Sequence, residues 1–181
     1  MVLMSQHRIT RSLQRMAFEI LEVAGDHSIV LIGINIRGYA VAVMLRDFLQ
    51  NVHSGATELV HIDANIVDVA NSKATVSDAA IPDAAIPDAS NVDTIPINTN
   101  GSVLVFVDDV IFSGLTIYRA MLRTQNLQEA ENVLVAALVD RGHRRIPIRA
   151  DVTGMHVPTK LNEHIQLQLR DDKPFEVLLM P

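Results

Sequence analysis

The stretch VLVFVDDVIFSGLT, residues 103–116, decides the fold of this chain. Its first five residues are apolar and mostly β-branched, and they read as a buried strand. That strand delivers two adjacent carboxylates, Asp108 and Asp109, to its C-terminal end. Val110, Ile111 and Phe112 lead on to Ser113, Gly114, Leu115 and Thr116, a small-residue turn that opens into the helical pattern LTIYRAMLRTQNL (115–127). In open α/β sheets ligands bind beyond the carboxyl ends of the strands. A glycine at a helix start permits close backbone approach and offers free N–H groups to a phosphate. The hydroxyls of Ser113 and Thr116 add two donors for the same anion. The acid pair does not favour phosphate itself. It suits sugar hydroxyls, which donate to carboxylates, or a divalent cation. A phosphorylated ribose meets both demands, against the plainer reading of an acid pair ahead of a serine helix cap.

Outward from this stretch the chain alternates strands and helices. SIVLIGI (28–34) and NVLVAALV (132–139) read as further buried strands, and residues 5–24 and 38–52 carry helical spacing. ELVHIDANIVDV (58–69) reads as extended. The alternation predicts an α/β fold, a mainly parallel sheet with flanking helices, as one domain over residues 1–181. HIQLQL (164–169) and FEVLLM (175–180) predict short strands that add to an edge or form a small C-terminal hood. Residues 69–97 contain the pentapeptide AIPDA twice in tandem (80–89) and are rich in Ala, Asp, Ser, Asn and Pro. Prolines there oppose a continuous helix, so a long loop is expected, and its length makes it a candidate lid.

The 181 residues are 49% hydrophobic and carry 15 basic against 21 acidic side chains, a formal charge of −6. Nucleic acid would therefore have to meet a local basic patch rather than a basic surface. The chain has no cysteine, which excludes a disulfide scaffold, a thiolate zinc site and a cysteine nucleophile. The seven histidines show no metal-ligand spacing, and aromatic residues at 4% supply no stacking platform. The N-terminus lacks the layout of a secretory signal and no apolar run has the length of a membrane span, so a cytoplasmic protein is expected.

The motif at 103–116 resembles the phosphoribosyl diphosphate (PRPP) motif of type I phosphoribosyltransferases. VAALVDRGHRRIPIRADVTGMHVPT (135–159) is similar to the PyrR family, pyrimidine operon attenuation regulators with uracil phosphoribosyltransferase activity. The order of landmarks agrees over nearly the whole chain. The resemblance implies that Asp108 and Asp109 hold the ribose hydroxyls, that Val110–Thr116 cradle the 5′-phosphate, and that Asn35, Ile36, Arg37 and Gly38 form the pyrophosphate loop. Asp108, Asp109 and Arg37 become the candidate catalytic residues, and Val139–Gly142 lie near the base. Gly33 and Gly38 alone could suggest a Walker loop, but the following Lys-Ser/Thr is missing. An aspartyl-phosphate receiver would also use an acid pair, yet Ser-Gly-x-Thr after the acids builds a phosphate cradle instead.

Departures from the family pattern matter as much. Asn35 and Ile36 stand where the pyrophosphate loop has Lys and Thr, and Val67-Asp68-Val69-Ala70 stands where the lid has Tyr-Arg-Asp-Asp. Between positions 68 and 93 five aspartates face one cation, Lys73. Such a lid repels a departing pyrophosphate, so weak turnover is expected. The family's RNA surface is matched at Arg15, His143, Arg144 and Arg149. Gln14, Phe18, Val23, Ile36 and Met155 fall where it has donors or cations, and a solvated basic turn is the plainer reading of this cluster. The resemblance thus implies a regulator of pyrimidine gene expression binding UMP or PRPP and uracil. Mg²⁺ would come with PRPP and none would be tightly bound. Pyrimidine leader mRNA is the implied partner and a homodimer or tetramer the implied assembly. The alternative is a non-catalytic nucleotide- or PRPP-binding module without RNA function.

Overall fold

A computed structural model of the chain describes residues 1–64 and 94–181. In chain order its elements are β1 (Val2–Met4), α1 (Gln6–Ala24), β2 (Ile29–Ile34), α2 (Asn35–Leu49), β3 (Thr57–Ile62), β4 (Val103–Ile111), α3 (Leu115–Leu122), a 3₁₀ turn (Leu127–Glu129), β5 (Asn132–Asp140), β6 (Val152–His156), β7 (His164–Arg170) and β8 (Lys173–Met180). Five strands form a parallel sheet in the order β3-β2-β4-β5-β6. The chain steps outward from β2 to β3 on one side and from β4 to β5 on the other. The C-terminal ends of β2 and β4 therefore bound a topological switch point, where such sheets open a crevice.

Burial explains why these runs are strands. All six residues of β2 are buried, as are Val103–Val107 of β4, because helices cover both faces of the sheet. Alternate residues serve opposite layers. Ile29, Leu31, Val103, Val105, Val107 and Leu134 pack with α1 and α2, whereas Val30, Ile32, Leu104, Phe106 and Val135 pack with Ile117 and Ala120 of α3. In α1 the buried stripe is Ile9, Leu13, Met16, Ala17, Ile20 and Ala24, the face that the 3.6-residue period marks.

The C-terminal strands form their own antiparallel sheet, β1-β8-β7, rather than extending the main edge. β1 is too short to show a period, and its place is set by pairing Val2 and Met4 with Leu178 and Val177. Two helices differ from expectation. α2 begins at Asn35 and ends at Leu49, not at 38 and 52, because a single residue reverses the chain after β2. α3 ends at Leu122 rather than 127, and the Thr124 hydroxyl donates back to the Ala120 carbonyl at 3.0 Å. The AIPDA repeat, the lid motif and most of the expected loop lie outside the described residues. The tail of that loop, at 94–97, docks on α3, with the Ile95 N–H donating to the Arg123 carbonyl at 2.7 Å. Among the described residues no helix is long and apolar enough to cross a membrane.

Candidate functional site

β4 carries the acid pair to the switch point. Asp108 is 5% exposed and Asp109 is half-buried. The Asp109 N–H donates to Asp108 Oδ1 at 3.0 Å, which fixes the first carboxylate against the backbone. Burial pushes the Asp108 carboxyl well above the usual carboxylate range, and the neighbouring Asp109 adds to the rise. Burial also raises Asp109, while its hydrogen bond with Asp108 and the Arg37 guanidinium pull it back. Two carboxylates side by side at the strand end are a set able to accept from two sugar hydroxyls.

Asn35, Ile36, Arg37 and Gly38 occupy the first turn of α2, so the expected pyrophosphate loop is a helix start. Asn35 makes this possible. It adopts φ +53°, a left-handed conformation that Asn tolerates better than most residues, and its Oδ1 accepts from the Ala64 N–H at 2.9 Å. Gly38 then passes directly over β4: a Cβ there would lie 2.6 Å from the Val107 carbonyl oxygen and 3.1 Å from Asp108 Cα. Only glycine lets α2 approach the acid pair this closely. Arg37 Nε donates to the Leu167 carbonyl of β7 at 3.0 Å, so the second sheet holds the cation of this turn. Ile36 is 72% exposed.

On the other side of the acids, Phe112 and Ser113 turn the chain into α3. Gly114 sits at φ +84°, where a side chain is strained, and the Leu115 N–H donates to Ser113 Oγ at 3.3 Å. The Ser113 carbonyl accepts from the N–H groups of Arg145 and Ile146, each at 3.0 Å, which pins the turn from below. Thr116 has no side-chain hydrogen bond to a described residue and is half-buried at the helix start. The turn therefore presents backbone N–H groups and hydroxyls beside a helix N-terminus, the features of an anion cradle.

The loop after β5 closes the site, and here the sequence reading needs correction. Arg144, expected on an RNA surface, is largely buried. Its Nη2 pairs with Asp140 Oδ1 at 2.7 Å, Nη1 donates to the carbonyls of Phe112 (2.7 Å) and Gly142 (3.0 Å), and Nε donates to the Ile148 carbonyl at 2.7 Å. With these donors engaged, it braces the cradle instead of facing a phosphate backbone. Arg141 stacks its guanidinium 4.1 Å above the Phe112 ring, and its Nε donates to Thr159 Oγ1 at 2.7 Å. His143 is exposed at φ +58° with Nε2 2.7 Å from the Thr159 carbonyl oxygen, and Arg149 is exposed. Arg15 lies on α1, paired with Glu19 and donating to the carbonyls of Thr153 (2.7 Å) and Gly154 (3.1 Å) in β6. Sequence reading could not find the carbonyls of Leu167 and Phe112 as partners, because any residue supplies a carbonyl. Among the described residues no three His, Asp or Glu side chains converge to hold a metal.

Two acids at the end of a central parallel strand, a glycine-turned cradle after them and a cation on the neighbouring helix define a phosphoribosyltransferase. The family model for the phosphoribosyl transferase domain matches residues 3–172. The chain is similar in fold to a hypoxanthine-guanine phosphoribosyltransferase of Bacillus anthracis, with TM-score 0.65 and 16% identity over all of this chain and 97% of that one. Nearer in sequence is the bifunctional protein PyrR of Chloroflexus aurantiacus, 33% identical over 180 residues, 98% of this chain and 93% of the relative. The bifunctional protein PyrR of Listeria monocytogenes is 32% identical over 171 residues, 94% and 90% of the two chains. The chain belongs to the PyrR family of phosphoribosyltransferases.

Proposed function

We propose that this protein binds UMP and PRPP at the β4–α3 cradle and transfers phosphoribosyl to uracil slowly, as a sensor of pyrimidine supply rather than a fast enzyme. The observation that carries the reading is the juxtaposition of a buried acid pair for ribose hydroxyls with an anion cradle one turn further on. In the reaction the bond from C1′ of PRPP to pyrophosphate breaks as N1 of uracil bonds to C1′, and the N1 proton leaves to solvent. The transition state carries oxocarbenium character, so the protein contributes by holding the reactants and by stabilising the departing anion. Asp108 and Asp109 fix the ribose, and Ser113–Thr116 hold the 5′-phosphate. Mg²⁺, where bound with the diphosphate of PRPP, would neutralise charge on the leaving group, and the acid pair would offer it hard oxygen donors.

The pyrophosphate side is where catalysis is weak. Within residues 33–38 Arg37 is the one cation, and it is tied to the Leu167 carbonyl and faces Asp109. The Asn35 side-chain oxygen is engaged by Ala64. Binding of pyrimidine leader RNA is proposed for Arg15, His143 and Arg149, with Arg144 removed from that set by its structural contacts. Those contacts also favour, as the second reading, a nucleotide-binding module without an RNA partner. A steady-state assay with uracil, PRPP and Mg²⁺ tests the main reading. Turnover below ~1 per second is expected, and Ile36→Lys, which adds a cation at an exposed position of the same turn, should raise it several-fold. Turnover within the usual enzyme range of ~1–1000 per second would overturn the slow-transfer reading. No UMP formed by a protein that still binds PRPP would establish the binding module.

A further inference from the structure

We infer that Asn100–Gly101 is a self-modification site, where the asparagine closes on the next backbone nitrogen and becomes aspartyl or isoaspartyl. Of the ten asparagines Asn100 is the one followed by glycine. Six of the others precede Ile, Val or Thr, whose branched Cβ shields that nitrogen. The fold presents the pair openly. Asn100 and Gly101 are exposed at the tip of a tight turn, closed by the Ser102 N–H donating to the Thr99 carbonyl at 3.1 Å. Gly101 holds φ +66°, and a Cβ built on it would meet no atom within 4 Å beyond its chain neighbours, so the space about it is free. The Gly101 N–H donates to the Glu129 carbonyl at 3.2 Å, the long limit of such a bond, and Glu129 is itself exposed.

The step balances with water as the one co-reactant. The Gly101 nitrogen gives up its proton and attacks Cγ of Asn100, the Cγ–Nδ2 bond breaks, and the side-chain nitrogen leaves as ammonia with that proton. The product is a cyclic imide. Water then opens the ring at either carbonyl, giving aspartate, or an isoaspartate whose main chain runs through Cβ and Cγ. Asn35 is a control within the same fold. It also stands at a chain reversal, but its Oδ1 accepts from the Ala64 N–H at 2.9 Å and isoleucine follows it.

An isoaspartate adds a methylene to the main chain and a negative charge to a turn whose flanks are fixed. Thr99 and Ser102 are 2% and 3% exposed. Thr99 Oγ1 donates to the Asn126 carbonyl at 2.9 Å, and the Ser102 carbonyl accepts from the Glu131 N–H at 3.0 Å. His27 Nδ1 donates to the Gly101 carbonyl at 3.2 Å, and the Val103 N–H donates to the Ser28 carbonyl at 2.8 Å. Lengthening the chain between these anchors disturbs the start of β4. The acids lie at its other end, ~20 Å along the strand from Val103 to Asp109, so the change weakens the fold and spares the acid pair. The free carboxylate of an isoaspartate is what an isoaspartyl-directed methyltransferase esterifies. The aged chain thereby becomes a substrate for that class of enzyme.

Ageing the purified full chain for several days, at mildly alkaline and at mildly acidic pH, tests this. Isoaspartate is read by transfer of a radiolabelled methyl group from S-adenosylmethionine with an isoaspartyl methyltransferase, and peptide mapping by mass spectrometry locates it. Label should accumulate at Asn100, several-fold faster at alkaline pH, because the attacking nitrogen must lose its proton. Asn100→Gln, which keeps an amide but disfavours the ring, should lose that label. The aged wild type should melt several degrees below the fresh protein, while aged Asn100→Gln keeps its Tm. Fresh Asn100→Asp, which adds the charge without lengthening the chain, should lose less. Circular dichroism checks that both variants fold. An Asn100 amide intact after ageing, a label that persists in Asn100→Gln, or an aged wild type that melts as the fresh one does overturns the inference.

Discussion

Asp108 places a tension at the centre of this protein. A carboxyl that is 5% exposed and beside a second acid resists ionisation, so the fold is destabilised when Asp108 carries its charge. The sign follows from the direction of the shift. An acid raised in the fold contributes stability below the ordinary carboxylate range, and that contribution is lost as pH rises through the raised value. Asp108→Asn, which keeps the shape and removes the charge, should therefore stabilise the ligand-free protein at pH 7. A gain of about 1 kcal/mol would appear as a rise in Tm of roughly 2–4 °C for a domain of this size, fading towards pH ~4. The same variant should lose UMP affinity about tenfold or more, since a hydrogen bond to a charged acceptor contributes about 1.5–3 kcal/mol. Thermal melts across pH, with calorimetry for UMP, check both halves. An equal or lower Tm at pH 7 would contradict the placement of Asp108 as a strained, function-bearing acid. The acid pair was readable in the sequence as a pair of carboxylates at a strand end. That one of them is so deeply buried depends on Gly38 of another element, and spacing within β4 carries no trace of it.

At the scale of elements, the loop between β5 and β6 divides the basic cluster by role. Arg144 joins Asp140 to the Phe112 carbonyl at the Phe112–Ser113 turn and to the Gly142 and Ile148 carbonyls of its own loop, whereas Arg149 is exposed. Arg144→Ala would leave Asp140 with only the Gly142 N–H at 2.9 Å and His156 at 3.8 Å as partners, and losing a hydrogen bond between charged groups costs about 1.5–3 kcal/mol. We expect a Tm lower by several degrees and a loosened phosphate cradle. Arg149→Ala should leave Tm unchanged and, if RNA binds there, lower the slope of log affinity against log salt by about one. A thermally silent Arg144→Ala would show that the guanidinium does not brace the turn. Reading the sequence grouped these arginines because they are close in the chain and alike in charge. Only the fold shows which of them points inward. The strands β2, β4 and β5 were legible because burial on both faces leaves continuous apolar runs, and α1 because one face alone is buried. The start of α2 was not, since it depends on one asparagine in a left-handed conformation answered by Ala64 from β3's end. β1 was equally hidden, because three residues acquire strand geometry only by pairing with β8.

For the whole molecule, the two sheets have separate tasks. The parallel sheet carries acids and cradle to a switch point, while the antiparallel sheet reaches across through the Leu167 carbonyl to hold Arg37 beside Asp109. The family and its order of landmarks were legible from the sequence because both rest on contiguous motifs. That turnover is weak is an expectation from Asn35 and Ile36 in the first turn of α2, and the aspartate-rich segment that sharpens it lies outside the described residues. The central claim is that this architecture is kept for a phosphoribosyl ligand. Titration calorimetry of the wild-type chain with UMP, with PRPP plus Mg²⁺, and with ribose 5-phosphate, all at one stated salt concentration, tests it most directly. The account predicts saturable binding of all three at one site per chain, tightest where base, ribose and phosphate are engaged together or where diphosphate adds its charge. Absence of binding by all three ligands would contradict it.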